Sequence, residues 1–258
     1  MSTALITGAS SGIGEAFAKE LAARQTNLVL VARSAEKLHQ LAQELQAQNN
    51  IQVEVIVKDL TEPNAAADVF DITKTKGLTI DLLINNAGFG DYGDFAERDG
   101  ERQVKMVQLN VLALVDLTHR FLPLMRQRRS GSIINVSSIA AFQPIPYLSV
   151  YAASKAFVLS FSEALWAENR KYGVRVLVVC PGPTETNFFT EASFPTAFTS
   201  KTSKVSTSEE VVNDALKALA KGEPTVVSGS LLSKVITNMP RFLPRETLVH
   251  ILEKQFKA

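Results

Sequence analysis

Short runs of apolar, mostly β-branched residues recur along the chain, and each run predicts a β-strand. The segments between them carry apolar positions three or four residues apart, which is typical of helices. In one such segment Leu38, Leu41 and Leu45 follow this spacing, and Ser34 is the predicted N-cap. A later long helical segment contains Pro123, which we expect to kink or end it. The strand-like runs are TALIT, NLVLVA, IQVEVIV, IDLLIN, GSIINVS, VRVLVVC and PTVVS.

Strands that alternate with helices indicate βαβ units and a parallel sheet. The runs are almost wholly apolar, as expected for strands that are covered on both faces. Right-handed crossovers then predict an α/β fold, a Rossmann-type doubly wound parallel sheet with helices on both faces. No repeat or low-complexity linker divides the chain, so we expect a single domain over residues 1–258.

Two segments depart from this alternation. Residues 184–207 are rich in Ser, Thr, Phe and Pro without a clear period, which predicts a substrate-binding lid. Residues 229–258 form a predicted C-terminal helical extension. Its Leu248, Leu252 and Phe256 recur four apart, which favours a core position or a subunit contact over a membrane anchor.

Composition narrows the class of protein. Apolar residues make up 46% of the 258 residues, enough for a large core, and the net charge of +1 gives no sign of nucleic-acid binding. Cys180 is the single cysteine, so no internal disulfide can form; we interpret it as a core residue of a protein in a reducing compartment. The three histidines lack metal-ligand spacing. No signal peptide or membrane-spanning run is present, so we expect a cytoplasmic protein without stable membrane insertion.

The first strand leads directly into TGASSGIG, Thr7 to Gly14, and a helix follows. Glycines allow a tight turn and a close approach to the backbone, and the helix N-terminus offers free N–H groups to a pyrophosphate. The spacing differs from G-x-G-x-x-G, and an ordinary tight turn is the alternative. The predicted cofactor-binding residues of this turn are Gly8, Ser10, Ser11, Gly12, Ile13 and Gly14.

Arg33 follows the second strand, at a point where NAD-binding proteins commonly place an acidic residue on the ribose. An arginine there favours a 2′-phosphate and therefore NADP(H), with hydroxyl groups from Ser10, Ser11 and Ser34 as further donors. The alternative is a solvated arginine at the end of a strand.

Tyr151 and Lys155 lie four residues apart in SVYAASKAF, a run without a helix breaker. This spacing places the two side chains next to each other on one helix face. A nearby ammonium favours the phenolate, so it is expected to lower the pKa of the phenol. The alternative is a chance pairing on a solvated helix face.

Several motifs together resemble the short-chain dehydrogenase/reductase family. TGASSGIG, NNAG at residues 85–88, SS ahead of YAASK, and the PG of Pro181 and Gly182 occur in the order and spacing of that family. The similarity runs from Thr3 to about Thr186. LVLVARS and the long C-terminus look most like the branch that reduces ketones with NADPH, although Ser11 stands where such members often carry a basic residue.

The resemblance implies cofactor-binding roles after each later strand. The implied contacts are Asp59 and Leu60 with the adenine, Asn86, Ala87 and Gly88 with the adenosine ribose, and Pro181, Gly182, Thr184 and Thr186 with the nicotinamide carboxamide. Ordinary capping and turn chemistry is the alternative for Asp59 to Thr61, for Asn85 with Asn86, and for Pro181 with Gly182.

The resemblance also implies the catalytic residues. Tyr151 is the general acid in reduction and the base in oxidation, and Lys155 tunes it and binds the nicotinamide ribose. Ser138 holds the carbonyl oxygen, and Asn110 holds a water that links Lys155 to solvent. The alternatives are a Ser138 that caps a turn at a strand end, and an Asn110 whose buried amide is satisfied by backbone groups.

The irregular segment carries Phe188, Phe189, Phe194 and Phe198, which suggest a bulky apolar substrate portion; packing of the loop itself is the alternative. The predicted substrate-binding residues are Ser138, Tyr151, Phe188 and Phe189.

We therefore expect an NADPH-dependent reductase of a ketone or aldehyde that forms a homo-oligomer. An NAD-dependent alcohol dehydrogenase and a non-catalytic NADP(H)-binding regulator are the alternatives.

Overall fold

The computed structural model describes residues 1–195 and 205–257, apart from the side chains of residues 231, 232, 234, 236 and 241. These residues form one parallel sheet of seven strands with helices on both faces. This confirms the predicted Rossmann-type α/β fold. The strands are β1 (Thr3–Thr7), β2 (Asn27–Ala32), β3 (Val53–Val57), β4 (Leu82–Asn85), β5 (Gly131–Val136), β6 (Val174–Pro181) and β7 (Thr225–Ser228).

Helices fill the connections between the strands and the C-terminal segment. None of those described is long and apolar enough to cross a bilayer. The α-helices are α1 (Gly12–Ala23), α2 (Ala35–Gln48), α3 (Ala65–Thr75), α4 (Gly100–Val107), α5 (Leu114–Gln127), α6 (Ser149–Asn169), α7 (Phe188–Glu191), α8 (Ser208–Lys221), α9 (Leu231–Asn238) and α10 (Arg245–Phe256). A π-helical turn, Gln108–Ala113, joins α4 to α5, and short 3-10 turns cover Ile139–Phe142, Arg170–Tyr172 and Met239–Arg241.

Each of the seven apolar runs forms a strand, with small differences at the ends. The strand β3 begins at Val53 and β4 at Leu82, two residues later than the respective runs. Of the two expectations for Pro123, a kink or a helix end, the helix end is wrong, because α5 continues to Gln127. Pro123 lies on the exposed side of α5, where water can satisfy the carbonyl group that lost its partner, while Phe121 and Met125 stay in the core.

The strand order is β3-β2-β1-β4-β5-β6-β7. The chain first builds the sheet outward from β1 to β3, then returns to place β4 on the other side of β1. The connections after β1 and β4 therefore leave in opposite directions, and a crevice opens between them at the carboxyl ends of the strands. Open parallel sheets bind their ligands at this kind of switch point.

Alternate residues of the central strands supply two separate hydrophobic clusters. Ala4 and Ile6 of β1 join the cluster formed with α1, α2 and α8, whereas Leu5 joins the cluster formed with α3 and α5. Because successive side chains of a strand point to opposite faces, a strand that is covered on both faces must be apolar throughout. This is why the runs predict the strands so well.

A chain of buried polar side chains crosses the sheet at β4 and β5. Asn85 Nδ2 donates to Asn135 Oδ1 at 2.9 Å and to Thr118 Oγ1 at 3.0 Å. Asn135 Nδ2 in turn donates to Ser162 Oγ at 2.9 Å. These bonds join α5 to α6 along the face of the sheet that both helices cover. Asn85 is therefore a buried strand residue and not the turn residue of its alternative interpretation.

We predict that Asn135→Ala lowers the free energy of unfolding by about 1–3 kcal/mol, because a buried N–H of Asn85 loses one acceptor and the buried hydroxyl oxygen of Ser162 loses its donor. Asn27→Ala is the matched control, since its side chain accepts from Gln52 N at the surface; its cost should be within about 0.5 kcal/mol. Urea denaturation measures both variants, and equal losses would contradict a structural role for the buried chain.

Candidate active site

The crevice at the switch point is a cavity of about 840 Å³. All the residues predicted for the site line it except Gly14 and Asn110, which lie directly behind its wall. Residues at the ends of six strands, β1 to β6, thus meet at one edge of the sheet, although the longest sequence separation among them exceeds half the chain. Phe198 of the predicted lid lies outside the described residues, as do residues 196–204 as a whole.

One hydroxyl group joins the two diverging strand ends. Thr7 Oγ1 accepts from the main-chain N–H groups of Asn86 and Ala87, each at 3.0 Å. Asn86 Nδ2 returns the contact by donating to the carbonyl groups of Thr7 and Gly8, at 2.9 and 3.2 Å. The start of the glycine-rich turn is thereby held against the loop after β4.

The glycine-rich turn requires its glycines. Gly8 and Gly12 adopt φ of +66° and +56°, the left-handed region that favours glycine. A Cβ on Gly8 would lie 2.9 Å from the Cα of Ala87, and one on Gly12 would lie 3.0 Å from the Thr186 methyl group. The turn therefore presents bare backbone and the N-terminus of α1 to the cavity, an arrangement that suits an anionic diphosphate.

Basic residues line the cavity beyond the second strand. The guanidinium of Arg33 is 75% exposed and lies 3.7 Å from the carboxylate of Asp59. Partial burial raises the pKa of Asp59, but hydrogen bonds from Thr61 and the charge of Arg33 outweigh burial and hold that pKa below its ordinary value. Ser34 and Leu60 lie on the same wall.

Sequence reasoning missed two further cations here, Lys37 and Lys58. Lys58 forms an ion pair with Asp68, whereas Lys37 has no ion-pair partner among the described residues. The signal for Lys37 was available, because it follows Arg33 by four residues across the start of α2.

The turn after β6 forms the opposite wall. Pro181, Gly182, Thr184 and Thr186 all line the cavity. Thr184 Oγ1 donates to the carbonyl of Gly182 at 2.9 Å, and Gly182 N donates to Ser228 O at 2.9 Å. The turn is thus fixed to the end of β7 with its polar edge toward the cavity.

Tyr151 and Lys155 lie one turn apart on α6, both buried and both on the cavity wall. Lys155 Nζ donates to Val136 O at 2.9 Å and lies 5.8 Å from the centre of the Tyr151 ring. Ser138 borders the same space, and its hydroxyl oxygen accepts from Ala140 N at 3.1 Å. Ser138 therefore does cap the 3-10 turn that follows β5, as the alternative interpretation holds. The cap uses the hydroxyl oxygen as an acceptor and does not use the hydroxyl proton.

Burial dominates the ionisation of this pair. It raises the pKa of the Tyr151 phenol to about 12, with the Ser138 hydroxyl acting in the opposite direction. It lowers the pKa of the Lys155 ammonium to about 8. The sequence predicts a lower pKa for Tyr151, and this is wrong for the protein by itself, because desolvation of the phenolate raises that pKa and the Ser138 hydroxyl only partly offsets the rise. At neutral pH the phenol is protonated and the ammonium is mostly charged.

Asn110 lies in the π-helical turn and is fully buried. Its Oδ1 accepts from Phe89 N at 3.1 Å, and its Nδ2 donates to Phe89 O at 3.0 Å and to Ser154 Oγ at 3.1 Å. The alternative of an amide satisfied by backbone groups describes these contacts. A Cβ on Gly88 would lie 2.8 Å from Asn110 Oδ1 and 3.3 Å from Lys155 Nζ, so the two polar groups approach each other behind Gly88.

Aromatic side chains enclose the cavity next to Tyr151. The rings of Phe188 and Tyr151 lie 5.1 Å apart, and Phe189 packs edge-on against Phe188 at 5.8 Å. Sequence reasoning missed Tyr92, whose hydroxyl donates to the carbonyl of Phe256 in α10. The stripe of Leu248, Leu252 and Phe256 proves to be a core feature, and its last two members also line the cavity.

Ser137 and Cys180 complete the surroundings of the site. Ser137 Oγ donates to the main-chain carbonyl of Lys155 at 2.7 Å, which ties α6 to the end of β5. Cys180 is fully buried, as predicted for a core residue, and burial raises the pKa of its thiol to about 12.

Known proteins resemble the chain along most of its length. Residues 2–195 match the family model described as short chain dehydrogenase. The chain is 34% identical over 262 residues to 17-beta-hydroxysteroid dehydrogenase type 3 from Rattus norvegicus, covering 98% of this chain and 81% of that relative. It is 40% identical over 184 residues to the very-long-chain 3-oxoacyl-CoA reductase from Anas platyrhynchos, covering 69% of this chain but only 58% of that relative's length.

A solved structure agrees with these relatives. The short-chain dehydrogenase from Sphingobium yanoikuyae in complex with NADPH superposes with a TM-score of 0.83 at 32% identity, covering 95% of this chain and 96% of that one. The motifs found in the sequence agree with the family model, with the relatives and with the architecture of the solved structure. The chain belongs to the short-chain dehydrogenase/reductase family of oxidoreductases.

Proposed function

We propose that the protein is an NADPH-dependent carbonyl reductase that acts on a ketone or aldehyde with a bulky apolar portion. One observation carries the proposal: Ser138, Tyr151 and Lys155 share the wall of a cavity whose other end holds the glycine-rich turn and Arg33. A proton donor and a dinucleotide cradle in one cavity are what a hydride-transfer enzyme requires. Membership of an oxidoreductase family supports the same reaction class.

The bare backbone of the glycine-rich turn fits a dinucleotide. We assign the pyrophosphate to this turn, the adenine to Asp59 and Leu60, the adenosine ribose to residues 86–88, and the nicotinamide end to residues 181–186 and Lys155. When bound, NADPH supplies the hydride that reduces the carbonyl carbon. Arg33, Ser34 and Lys37 favour a 2′-phosphate, and the NADPH complex of a similar structure is consistent with that choice.

Tyr151 is the proton donor in this proposal. Its pKa of about 12 keeps the phenol protonated at neutral pH, which is the form that a reduction consumes. Ser138 donates a hydrogen bond to the carbonyl oxygen while negative charge develops there. The Lys155 ammonium stabilises the resulting phenolate, and Asn110, close to it behind Gly88, holds a water through which the proton is replaced.

The two alternatives fit the site less well. An alcohol dehydrogenase that runs mainly in oxidation uses Tyr151 as a base, whereas the protein by itself holds this phenol in the protonated form that a reduction consumes. NAD as its cofactor has no 2′-phosphate for Arg33 and Lys37 to bind. A non-catalytic regulator has no need for Ser138, Tyr151 and Lys155 in one cavity, and all three are present.

The substrate end of the cavity is apolar and aromatic. Phe188, Phe189 and Phe194 pack against one another next to Tyr151, and Leu148 and Leu252 extend the wall. Such a wall suits a large hydrocarbon portion. Two relatives are named for a steroid and for a very-long-chain acyl group, which is consistent with this choice.

Exposed apolar side chains support a homo-oligomer. Leu112 in the π-helical turn and Phe157 in α6 are 58% and 43% exposed. Burying them against a second copy would remove that surface from water.

We predict that Tyr151→Phe lowers turnover by roughly 10²–10⁴-fold, because it removes the proton donor. NADPH affinity and the free energy of unfolding should hardly change, since the ring remains.

Lys155→Ala should lower turnover and NADPH affinity together, and Lys155→Arg should stay impaired because a planar guanidinium does not replace a compact ammonium. Single-turnover rates and fluorescence titration measure both effects. Tyr172→Phe, outside the cavity, is the control, and a parental rate for Tyr151→Phe would overturn the proposed site.

We predict that NADPH binds about tenfold to a hundredfold tighter than NADH, the range that corresponds to one charge-assisted contact. Arg33→Asp should reverse this preference. Arg24→Asp makes the same charge change outside the cavity and should leave it intact, because Arg24 pairs with Glu20 on the surface of α1. Titration with both coenzymes measures the ratio, and equal affinities in the parent would rule out the assignment of Arg33.

We predict that the rate of reduction falls as the pH rises through about 8, where Lys155 loses its proton. The charged ammonium stabilises the phenolate, so its contribution is present below this pH and is lost above it. Tyr151 stays protonated throughout, because its pKa is about 12. The pH profile of turnover at saturating NADPH tests this for the parent, and Lys155→Met should lack the alkaline fall. A parental rate that does not fall above pH 8 would be incompatible with the role of Lys155.

A further inference from the structure

A fully buried carboxylate lies in the loop between β4 and α4. The side chain of Asp91 is 0% exposed, and three side chains bind it. Arg98 donates to it from Nε at 2.8 Å and from Nη2 at 2.5 Å, Arg102 Nε donates at 3.0 Å, and Gln103 Nε2 donates at 2.6 Å. Burial raises the pKa of Asp91, but the two arginines outweigh it and hold that pKa below its ordinary value. A buried charge of this kind is costly unless its partners are fixed.

The two arginines on Asp91 differ in what else they contact. Among the described residues, the Arg98 side chain donates hydrogen bonds only to Asp91. Arg102 continues beyond the carboxylate: its Nη2 donates to the carbonyl of Glu191 at 2.8 Å, and its guanidinium lies 5.0 Å from the centre of the Phe89 ring. Arg102 therefore joins the loop after β4 to the end of α7, which lies 89 residues away in sequence.

The helix α7 is a single turn and depends on such outside contacts. Tyr92 N, next to Asp91, donates to the carbonyl of Ala192 at 2.8 Å. At the other end of α7, Phe188 packs on the ring of Tyr151 at 5.1 Å. A Cβ on Gly90 would lie 2.7 Å from Phe188 Cζ, so the absence of a side chain at Gly90 makes room for that ring.

We propose that the buried carboxylate of Asp91 and the guanidinium of Arg102 form an ionic clamp that fixes α7 and so holds Phe188 against Tyr151 at the substrate end of the cavity. The inference deepens the proposed function and rests on it for the identity of the substrate end. Arg102 touches neither Tyr151 nor Lys155, so it is a positioning residue. The carboxylate fixes the guanidinium, the guanidinium fixes the end of α7, and α7 fixes the aromatic wall.

Hydrogen exchange of the parent, Arg102→Met and Arg98→Met tests the clamp without any substrate. Each variant removes one guanidinium from Asp91 and leaves the other, and the two arginines are similarly exposed, at 38% and 30%. In Arg102→Met the amides of residues 191–194 should exchange about threefold to tenfold faster, the change that corresponds to the net contribution of one hydrogen bond. In Arg98→Met they should exchange at the parental rate.

Kinetics with 2-decalone, a bulky apolar ketone, supplies the second measurement. In Arg102→Met, KM for 2-decalone should rise about threefold to tenfold, the same factor as for hydrogen exchange. The Kd for NADPH should stay parental, because the clamp supports the substrate wall and not the dinucleotide cradle. Arg98→Met should keep the parental KM. If the parent itself reduces neither ketones nor aldehydes, the proposed function fails, yet hydrogen exchange still decides whether the clamp exists.

Three results would overturn the proposal: unchanged exchange at residues 191–194 in Arg102→Met, equal acceleration in both variants, or a loss of NADPH affinity as large as the rise in KM. Should Arg102→Met fail to fold, Arg102→Lys takes its place. Its ammonium can pair with Asp91, but it lacks the second arm that reaches the carbonyl of Glu191. The same localised acceleration supports the clamp, and parental exchange refutes it.

Discussion

The hydrogen bonds of Thr7 to the loop after β4 are the contacts on which the site depends. The chain leaves β1 and β4 in opposite directions, just beyond Ile6 and Ile84, where the paired register of the two strands ends. A hydroxyl group can accept from two N–H groups and donate at the same time, as Thr7 does with Asn86, Ala87 and the carbonyl of Ile84. The close packing of Gly8 on Ala87 follows from this junction, and so does the shape of the cradle.

A second constraint acts at the end of β5, where two consecutive residues bind Lys155 of α6 and the third lines the cavity beside that helix. Val136 offers its carbonyl to the Lys155 ammonium, and Ser137 donates to the Lys155 main chain. Ser138 then borders the cavity beside Tyr151. A buried ammonium is tolerated only where polar groups replace water. The same strand end therefore holds the Lys155 ammonium and places Ser138 beside α6.

The sequence predicts the fold and the cavity wall because both depend on local patterns. Apolar runs mark strands that are covered on two faces, and turn motifs mark the residues that follow them. Contacts made at long range left no such mark: Arg102 finds Glu191, and Asn135 finds Ser162, only once the sheet is assembled. Pro123 and the pKa of Tyr151 were misjudged for a related reason, since exposure of one helix face and burial of one phenol are properties of the packed molecule.

The π-helical turn between α4 and α5 amounts to an α-helix with one residue inserted. The extra residue turns Asn110 toward Phe89 while Leu117 and Phe121, further along, still face the sheet. Each residue of an α-helix advances the side chains by about 100°, so loss of one codon between Gln108 and Ala113 would rotate either Asn110 or the core face out of place. Divergence of such sequences can exchange apolar residues on α5, but it cannot easily change the length of this helix.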